Sequence, residues 1–534
     1  MKAALLLAPV ALFLGFFFAF PLLEVFQAAF QGSDAWRWLA DDYARSRLAI
    51  AFQQAGLSVL LTLAVALPMA WLHHARRIRG SRLLLSLHVA PFVMPVFVVV
   101  FGIQAVLGRN GWLEGATGLD LLGAVGPLGA VVIANAYYNI GMASRLLHAA
   151  LERRPHRLEQ VAATLGAPPR HRLLRVTAPL LLPPMLAVAL LTFVFCFGSF
   201  GVVLYLGQGE VDSVETLLYD NLSGAFAHED RGAVLALLQM AVQLTVLAVY
   251  FLLQRRAARL PAEVEREAPR AGPALTALAW VAAAAAVAPL LAVLTEGFKV
   301  GGVWSLGGWR TLLDSGADGH LSGFTVAGAL RWSLSYAAAS VALALLLTLL
   351  LAYGARRLGP LRRVAEAIAT LPLGTSSLVL GFGFVLAYVG PPFFLQGSPL
   401  IVVIAHTLVA FPFTARVLLP ALDGLDPRME AAAATLGASP WARVLRVHVP
   451  LLRGPLAAAA GLAAALSLGD FGSSLLLMTD DTMGLSVWID RHAGAHAFDP
   501  LARAQAKALA GLLMVVTLAV FLAFEAVRPH RRKA

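Results

Sequence analysis

The polar side chains that interrupt the apolar stretches of this chain are few. Asp470 stands in "LGDFG", inside an otherwise apolar run. A carboxylate within hydrocarbon costs roughly 2.5–3.5 kcal/mol on insertion scales. It is therefore expected either to line a water-accessible seam, where it would attract a cation, or to cap a helix end opened by Gly469 and Gly472. Ser199 holds the matching place 271 positions earlier, in "FGSFG", and Asn135 and His406 are matched by the same shift. These four, Asp470, Ser199, Asn135 and His406, are the candidates for a polar path; helix-to-helix hydrogen bonding is the plainer role of such groups. His492 and His496 stand four apart near Asp490 and Asp499, a spacing that binds metal on a helix. The matching positions hold Asn221 and Ala225, so the segment reads as a polar external loop and no metal site is expected. Tyr137 and Tyr138 read as packing residues, and the single cysteine, Cys196, as a small buried apolar one.

A second set of residues is basic. "EQVAATLGAPPRHRLLRVTAPLL" covers residues 159–181, and "EAAAATLGASPWARVLRVHVPLL" covers residues 430–452. In each copy a helix is expected to end at a glycine, Gly166 or Gly437, because glycine adopts the left-handed conformation that stops helices. Proline then opens a second short helix. That helix carries Arg172 and Arg175, or Arg443 and Arg446, and the spacing of three is expected to place each pair on one face. A lone copy would suit a helix lying against lipid headgroups. Two copies suit paired docking elements for a symmetric partner.

The elements that position these residues follow from composition. The 534 residues are 59% hydrophobic and 13% charged, with a mean hydropathy of +0.77. Soluble domains carry about 25% charged residues. Backbone in lipid must satisfy its own hydrogen bonds, and long continuous apolar runs do so as helices. About twelve spans are expected, centred near Phe16, Leu61, Val98, Ala136, Phe195, Val242, Ala284, Ala342, Leu380, Thr407, Ala464 and Leu518. The first run is read as a retained span, since no small-residue cleavage site follows it. Arginine clusters follow every second span, among them Arg76, Arg77, Arg79 and Arg82, then Arg153, Arg154 and Arg157, then Arg255, Arg256, Arg259, Arg266 and Arg270, and finally Arg528, Arg531, Arg532 and Lys533. The alternate loops, such as "GEVDSVETLLYD" at 209–220, are acidic. The positive-inside rule then places both termini in the cytoplasm. The net charge of +11 is thus topological, and nucleic acid is not an expected partner.

The shift of 271 also brings "GSFG" at 198–201 onto "GDFG" at 469–472 and Arg145 onto Arg416. The chain reads as two parallel six-span halves, residues 1–253 and 274–534, joined by a charged, proline-bearing cytoplasmic linker at 254–273. Parallel repeats imply a pseudo-two-fold axis along the membrane normal.

The repeated segments resemble the EAA loop of ABC-importer permeases, in the glutamate, the small residues, "TLG", the basic turn and the closing proline. The family's usual glutamate lies one position nearer the glycine, where this chain has Gln160 and Ala431. The resemblance covers nearly the whole chain and is nearest to the fused importers of ferric iron and thiamine. "FCFGSFGVVLYLGQGEVDSVETLLYDNL" at 195–222 and "RGAVLALLQM" at 231–240 look most like the thiamine-importing members. The resemblance implies an all-α integral membrane protein of the type I ABC-importer permease fold, in a bacterial inner membrane. It implies ATPase docking through Glu159, Gly166, Arg172, Arg175, Glu430, Gly437, Arg443 and Arg446. It implies two copies of a cytoplasmic ATPase subunit, a periplasmic binding protein, and one fused permease chain per complex within membrane lipid. Thiamine or a thiamine phosphate is the implied substrate, with ferric iron as the alternative and a secondary transporter as the rival class. No Gly-Lys dipeptide occurs, so the chain has no GxxxxGK[ST] phosphate loop. Nor does it contain an HExxH or G-x-S-x-G motif. No cofactor is expected in this chain; ATP and Mg are assigned to the partner ATPases, and the chain itself is expected not to be an enzyme.

Overall fold

The computed structural model describes residues 3–31, 34–76, 78–152, 156–223, 227–257, 269–314, 325–494 and 499–526. His496, Ala225, Arg77, Arg153, Arg154, Arg259, Arg266, residues 258–268 of the linker and the basic residues after 526 lie outside the described residues. The described chain is helical apart from one short hairpin, Lys299–Val300 paired with Val303–Trp304, which turns on Gly301 and Gly302 at φ of 60° and 87°.

Among the described residues, eleven helices are long and apolar enough to cross a membrane, and a twelfth span is formed if the bent pair Arg362–Gly374 and Ser377–Val389 counts as one. Each of the twelve expected centres falls in one of these elements. The bend of 91° has a local cause. Pro372 and Gly374 loosen the first helix, and the Ser376 hydroxyl starts the second by accepting from Val379 N–H at 3.2 Å. Prolines inside the spans, such as Pro68, Pro289 and Pro412, are tolerated as they commonly are in membrane helices.

Two compact units form, and neither is a continuous piece of chain. One comprises Ala29–Val93 and Val99–Thr295. Its seam is built from small residues: Ala66, Ala70 and Ala143 lie together with Leu147, Leu151, Leu181 and Val188. Lipid tails are as apolar as leucine, so membrane helices associate by close packing, which small residues permit. Gly141 is the extreme case, since a Cβ there would lie 1.7 Å from the His88 carbonyl oxygen. The helix Pro273–Glu296 belongs to this unit, apart from its last residue, with Ala279 and Ala283 packed on Ile78 and Leu84. Tyr137 donates to Ala286 O at 2.6 Å within the same unit.

The other unit comprises Met1–Ala28, Met94–Val98 and Glu296–Ala534. Val341, Ala344, Ala410, Ala460, Ala463 and Ala464 form its matching alanine-rich seam. The first span of the chain packs here: Leu7 covers Gly354, and Tyr388 donates to Phe16 O. So the compact units depart from the sequence halves. Residues 1–28 fold with the second half's later spans, and residues 274–295 fold with the first half's.

Candidate functional site

The two repeated loops fold alike. Helices His156–Thr164 and Pro427–Thr435 both stop at glycine, Gly166 at φ 79° and Gly437 at φ 80°. Each stop carries the same bonds. Ala167 N–H donates to Ala162 O and Gly166 N–H to Ala163 O, both at 3.0 Å; Ala438 to Ala433 and Gly437 to Ala434 repeat them at 3.0 Å. This satisfies the last carbonyls of the helix. A side chain at either glycine would meet open space, so backbone conformation and not crowding explains the glycine. The short helices Pro169–Arg172 and Pro440–Arg443 follow. Each then passes through a wide turn, Leu173–Thr177 or Val444–His448, in which Ala178 N–H reaches back to Leu173 O and Val449 N–H to Val444 O. The chain continues without a stop into the spans Ala178–Phe197 and Val449–Gly469.

The faces of these loops differ from the expectation. Arg175 and Arg446 are exposed, whereas Arg172 and Arg443 are half-buried. The reason is the wide turn. It inserts an extra residue per turn after Arg172 and Arg443, so a spacing of three no longer keeps a pair on one face. What the sequence reading missed is apolar. Leu165 is 81% exposed and Leu436 is 87% exposed, at matching places beside the glycine. Leu158 and Met429, and Leu174 and Leu445, are further matched exposed pairs. Each loop therefore presents apolar knobs around a matched exposed arginine, Arg175 or Arg446, with Arg170 exposed as well in the first. The signal lay in the "TLG" of both copies, whose leucine the helix-stop geometry turns outward.

Glu159 and Glu430 face their own chain. Thr177 Oγ1 donates to Glu159 Oε1. Glu430 Oε2 lies 3.7 Å from His448 Nε2, and Glu430 Oε1 lies 3.7 Å from Arg443 Nη1.

The four path candidates meet as two homologous pairs, one in each unit. Ser199 donates to Asn135 Oδ1 at 2.7 Å, and Asn135 Nδ2 donates to Gln54 Oε1 at 3.0 Å. His406 Nε2 lies 3.5 Å from Asp470 Oδ2, and the two His406 nitrogens contact Ser467 Oγ at 2.8 Å and Ser474 Oγ at 2.9 Å. Asp470 Oδ2 also accepts from Ser473 Oγ, from Ser474 N–H at 3.2 Å and from Ser474 Oγ at 3.3 Å. All four residues are buried. Of the two roles expected for Asp470, the geometry is that of a cap: the carboxylate is tied to donors at the start of helix Gly472–Leu477.

A second buried acid extends the pattern. Glu215, missed in the sequence, is 2% exposed and accepts from Gln239 Nε2 at 2.8 Å. The shift of 271 pairs it with Ser486, whose hydroxyl donates to Asp470 O at 3.0 Å. One unit thus has serine at 199 and a carboxylate at 215, and the other has a carboxylate at 470 and serine at 486. The two positions exchange residue types, and each unit buries one acid at this matched pair of positions.

Beyond these acids the acidic segments are ordered helices, Val214–Leu222 and Leu485–Gly494, again 271 apart at their starts. Ser213 begins the first with reciprocal bonds to Thr216. Arg47 binds Asp212 at 3.0 Å and Gly209 O at 3.0 Å. Burial pushes the Asp212 carboxyl above its usual range, against the pull of that guanidinium. His492 contacts Trp488 O at 2.9 Å through Nδ1, and no group of three metal-binding side chains occurs among the described residues.

A multi-pass helical protein with two matched bundles, each carrying one loop of the same design and one buried polar pair, has the make-up of a membrane permease built by duplication. The chain belongs to the family described as "Binding-protein-dependent transport system inner membrane component", which matches it twice, over residues 58–259 and 340–533. It is 31% identical to the thiamine transport system permease protein of Escherichia coli, over 91% of this chain and 90% of that one. It is 29% identical to the thiamine transport system permease protein of Brucella abortus, over 90% and 87%. A probable ABC transporter permease of Sinorhizobium fredii is 25% identical, over 95% and 93%. The chain is thus an ABC-importer permease of type I fold, and the rival class of secondary transporters is set aside. Both family matches begin after the first span of their half.

Proposed function

We propose that this chain is the membrane-spanning subunit of an ATP-driven importer that takes thiamine, or a thiamine phosphate, from a periplasmic binding protein to the cytoplasm. The observation that carries the coupling is the repeated loop: two copies with the same stop, the same wide turn and the same exposed leucine and arginine. A pair of like surfaces suits two copies of one ATPase subunit, which bind ATP and Mg. Thiamine as substrate is supported by the relatives' names and by the segments at 195–222 and 231–240. The test is uptake into proteoliposomes holding this chain, its ATPase and its binding protein. ATP-dependent accumulation of thiamine, undiminished by excess ferric iron, is the expected result. Accumulation of ferric iron without thiamine uptake would assign the ferric-iron alternative.

Both termini and both repeated loops are placed in the cytoplasm, on the arginine distribution. In a Cys196→Ser background, Glu210→Cys and Asp481→Cys are expected to label with an impermeant thiol reagent in intact spheroplasts, since both side chains are exposed. Leu436→Cys is expected to label only after the membrane is opened. Ser213 and Ser486 lie in the same segments but are buried, so cysteine there is expected to stay unlabelled on either side. Labelling of Leu436→Cys in intact spheroplasts would invert the topology.

A further inference from the structure

Glu159 and Glu430 open the two repeated loops, and each brings a carboxylate oxygen to a buried side chain of its own unit. Glu159 accepts from Thr177 Oγ1, and Glu430 lies 3.7 Å from His448 Nε2. The partner is the residue eighteen positions on in both copies, and in both it is the last residue of the wide turn, where the transmembrane span takes over. Thr177 is 1% exposed and His448 is 4% exposed, so each glutamate meets a partner that belongs to the packed interior of its own unit. In the second copy the chain of contacts goes further. His448 Nδ1 shares a hydrogen bond with Tyr353 OH at 2.8 Å, and the two rings stack at 5.6 Å and 10°. Tyr353 belongs to Val326–Ala355, a different span.

We propose that Glu159 and Glu430 are positioning residues: internal latches that close each repeated loop onto the span that follows it. Between glutamate and partner lie the two places where the backbone is not regular helix, the left-handed glycine and the wide turn. Left open, these two joints would let the loop swing without moving the span. A side-chain bond across both joints turns helix, glycine stop, short helix and span start into one closed ring. A push on Leu436 or Arg446 is then delivered to Val449–Gly469. The first unit makes the ring with a threonine hydroxyl. The second makes it with a histidine that is itself held by Tyr353, so its loop is tied to two spans. The role in coupling rests on the ATPase docking proposed above, but the latch itself is a property of this chain alone.

The test therefore has two arms. In the first, the purified full chain without any partner is followed by amide hydrogen exchange over Pro427–Thr435 and His156–Thr164. Loss of the Thr177–Glu159 hydrogen bond, or of the 3.7 Å approach of the Glu430 carboxylate to His448, is expected to loosen its loop by up to about tenfold. Glu430→Ala and His448→Ala are each expected to speed exchange of the second loop about tenfold. Their combination is expected to fall well short of the product of the two effects, because both remove the Glu430–His448 contact, while Glu430→Ala also releases Arg443 and His448→Ala also releases Tyr353. Thr177→Val, which keeps the shape and removes the hydroxyl, is expected to do the same in the first loop only. Glu430→Gln, which still reaches His448, is expected to stay within about twofold of the parent chain. In the second arm, the complex with the ATPase is expected to keep full association for Glu430→Ala but to spend at least fivefold more ATP per substrate. Unchanged exchange in Glu430→Ala, together with loss of ATPase association, would make the glutamate a docking contact and overturn the latch. Failure of the parent chain to recruit any ATPase would overturn the docking proposal and leave the first arm to decide the latch.

Discussion

Replacing Leu165 and Leu436 together by aspartate is expected to abolish ATPase association and transport while leaving the permease folded in the membrane. Both side chains are almost entirely free of contact with their own chain, so their removal costs the isolated permease little. At an interface the same side chains become the most prominent apolar anchors of each loop. Truncating a central anchor commonly costs at least about 2 kcal/mol, or roughly 30-fold in affinity. A buried aspartate without a partner costs more than simple truncation. Two substituted loops are expected to compound the loss, since the proposed docking engages both. The measurement is co-purification of the ATPase with affinity-tagged permease, beside thermal stability of the permease alone. Arg175→Glu with Arg446→Glu is expected to weaken association in the same direction, more at low salt than at high. Arg172 and Arg443 are poorer test positions, because their half-buried guanidiniums also serve the loop's own packing. Retained co-purification of the double aspartate variant would show that the exposed leucines meet something other than the ATPase, lipid headgroups being the plainest choice.

The second large effect belongs to Asp470. Substitution by alanine is expected to cost about 3–5 kcal/mol, the usual range for removing one partner from a buried charged cluster. It removes the acceptor of the Ser473 hydroxyl and the Ser474 amide at once and takes the charge away from beside His406. Asparagine still offers a side-chain oxygen to Ser474 N–H and should retain at least half of the uptake. The readouts are the thermal midpoint of the purified chain and the initial rate of uptake in proteoliposomes. A capping role predicts that both fall together in Asp470→Ala and that both are largely kept in Asp470→Asn. Loss of uptake in Asp470→Asn at an unchanged midpoint would show that the charge itself is sensed, by a cationic substrate or by the gate. Glu215 offers an internal comparison, as the buried acid at the matched position of the other unit. Glu215→Gln, which can keep a bond to Gln239, should resemble Asp470→Asn if both acids serve packing and not charge.

What could be read from the sequence was whatever depends on local composition or on identity between copies. Apolar run length is set by bilayer thickness, so the span centres were legible, from Phe16 to Leu518. Gly166 and Gly437 were legible as helix stops, because one residue type serves that conformation best. The pairings of Asn135 with Ser199 and of His406 with Asp470 were half legible. The shift of 271 placed them at matching positions, but only folding shows that each pair is in contact. Glu215 was not legible because its counterpart is Ser486: an acid and a serine have traded places, and a comparison position by position sees two unrelated differences. The facing of Arg172 and Arg443 was lost for another reason. Helical spacing rules assume an unbroken turn, and the wide turns at Leu173–Thr177 and Val444–His448 carry no distinctive composition. The lodging of residues 1–28 with the second half's later spans depends on contacts hundreds of positions apart, such as Tyr388 with Phe16. Nothing in a hydropathy profile distinguishes that arrangement from two self-contained halves.

The claim on which the rest depends is that both repeated loops meet the ATPase. A photo-crosslinking amino acid placed at position 165 or at position 436, one at a time, tests it in the assembled transporter in native membranes. Both positions are expected to yield an adduct of permease with ATPase subunit, and both adducts should change in yield when ATP is trapped in the partner. Adducts with lipid alone, or an ATPase adduct from only one of the two positions, would contradict the account of paired, equivalent docking loops.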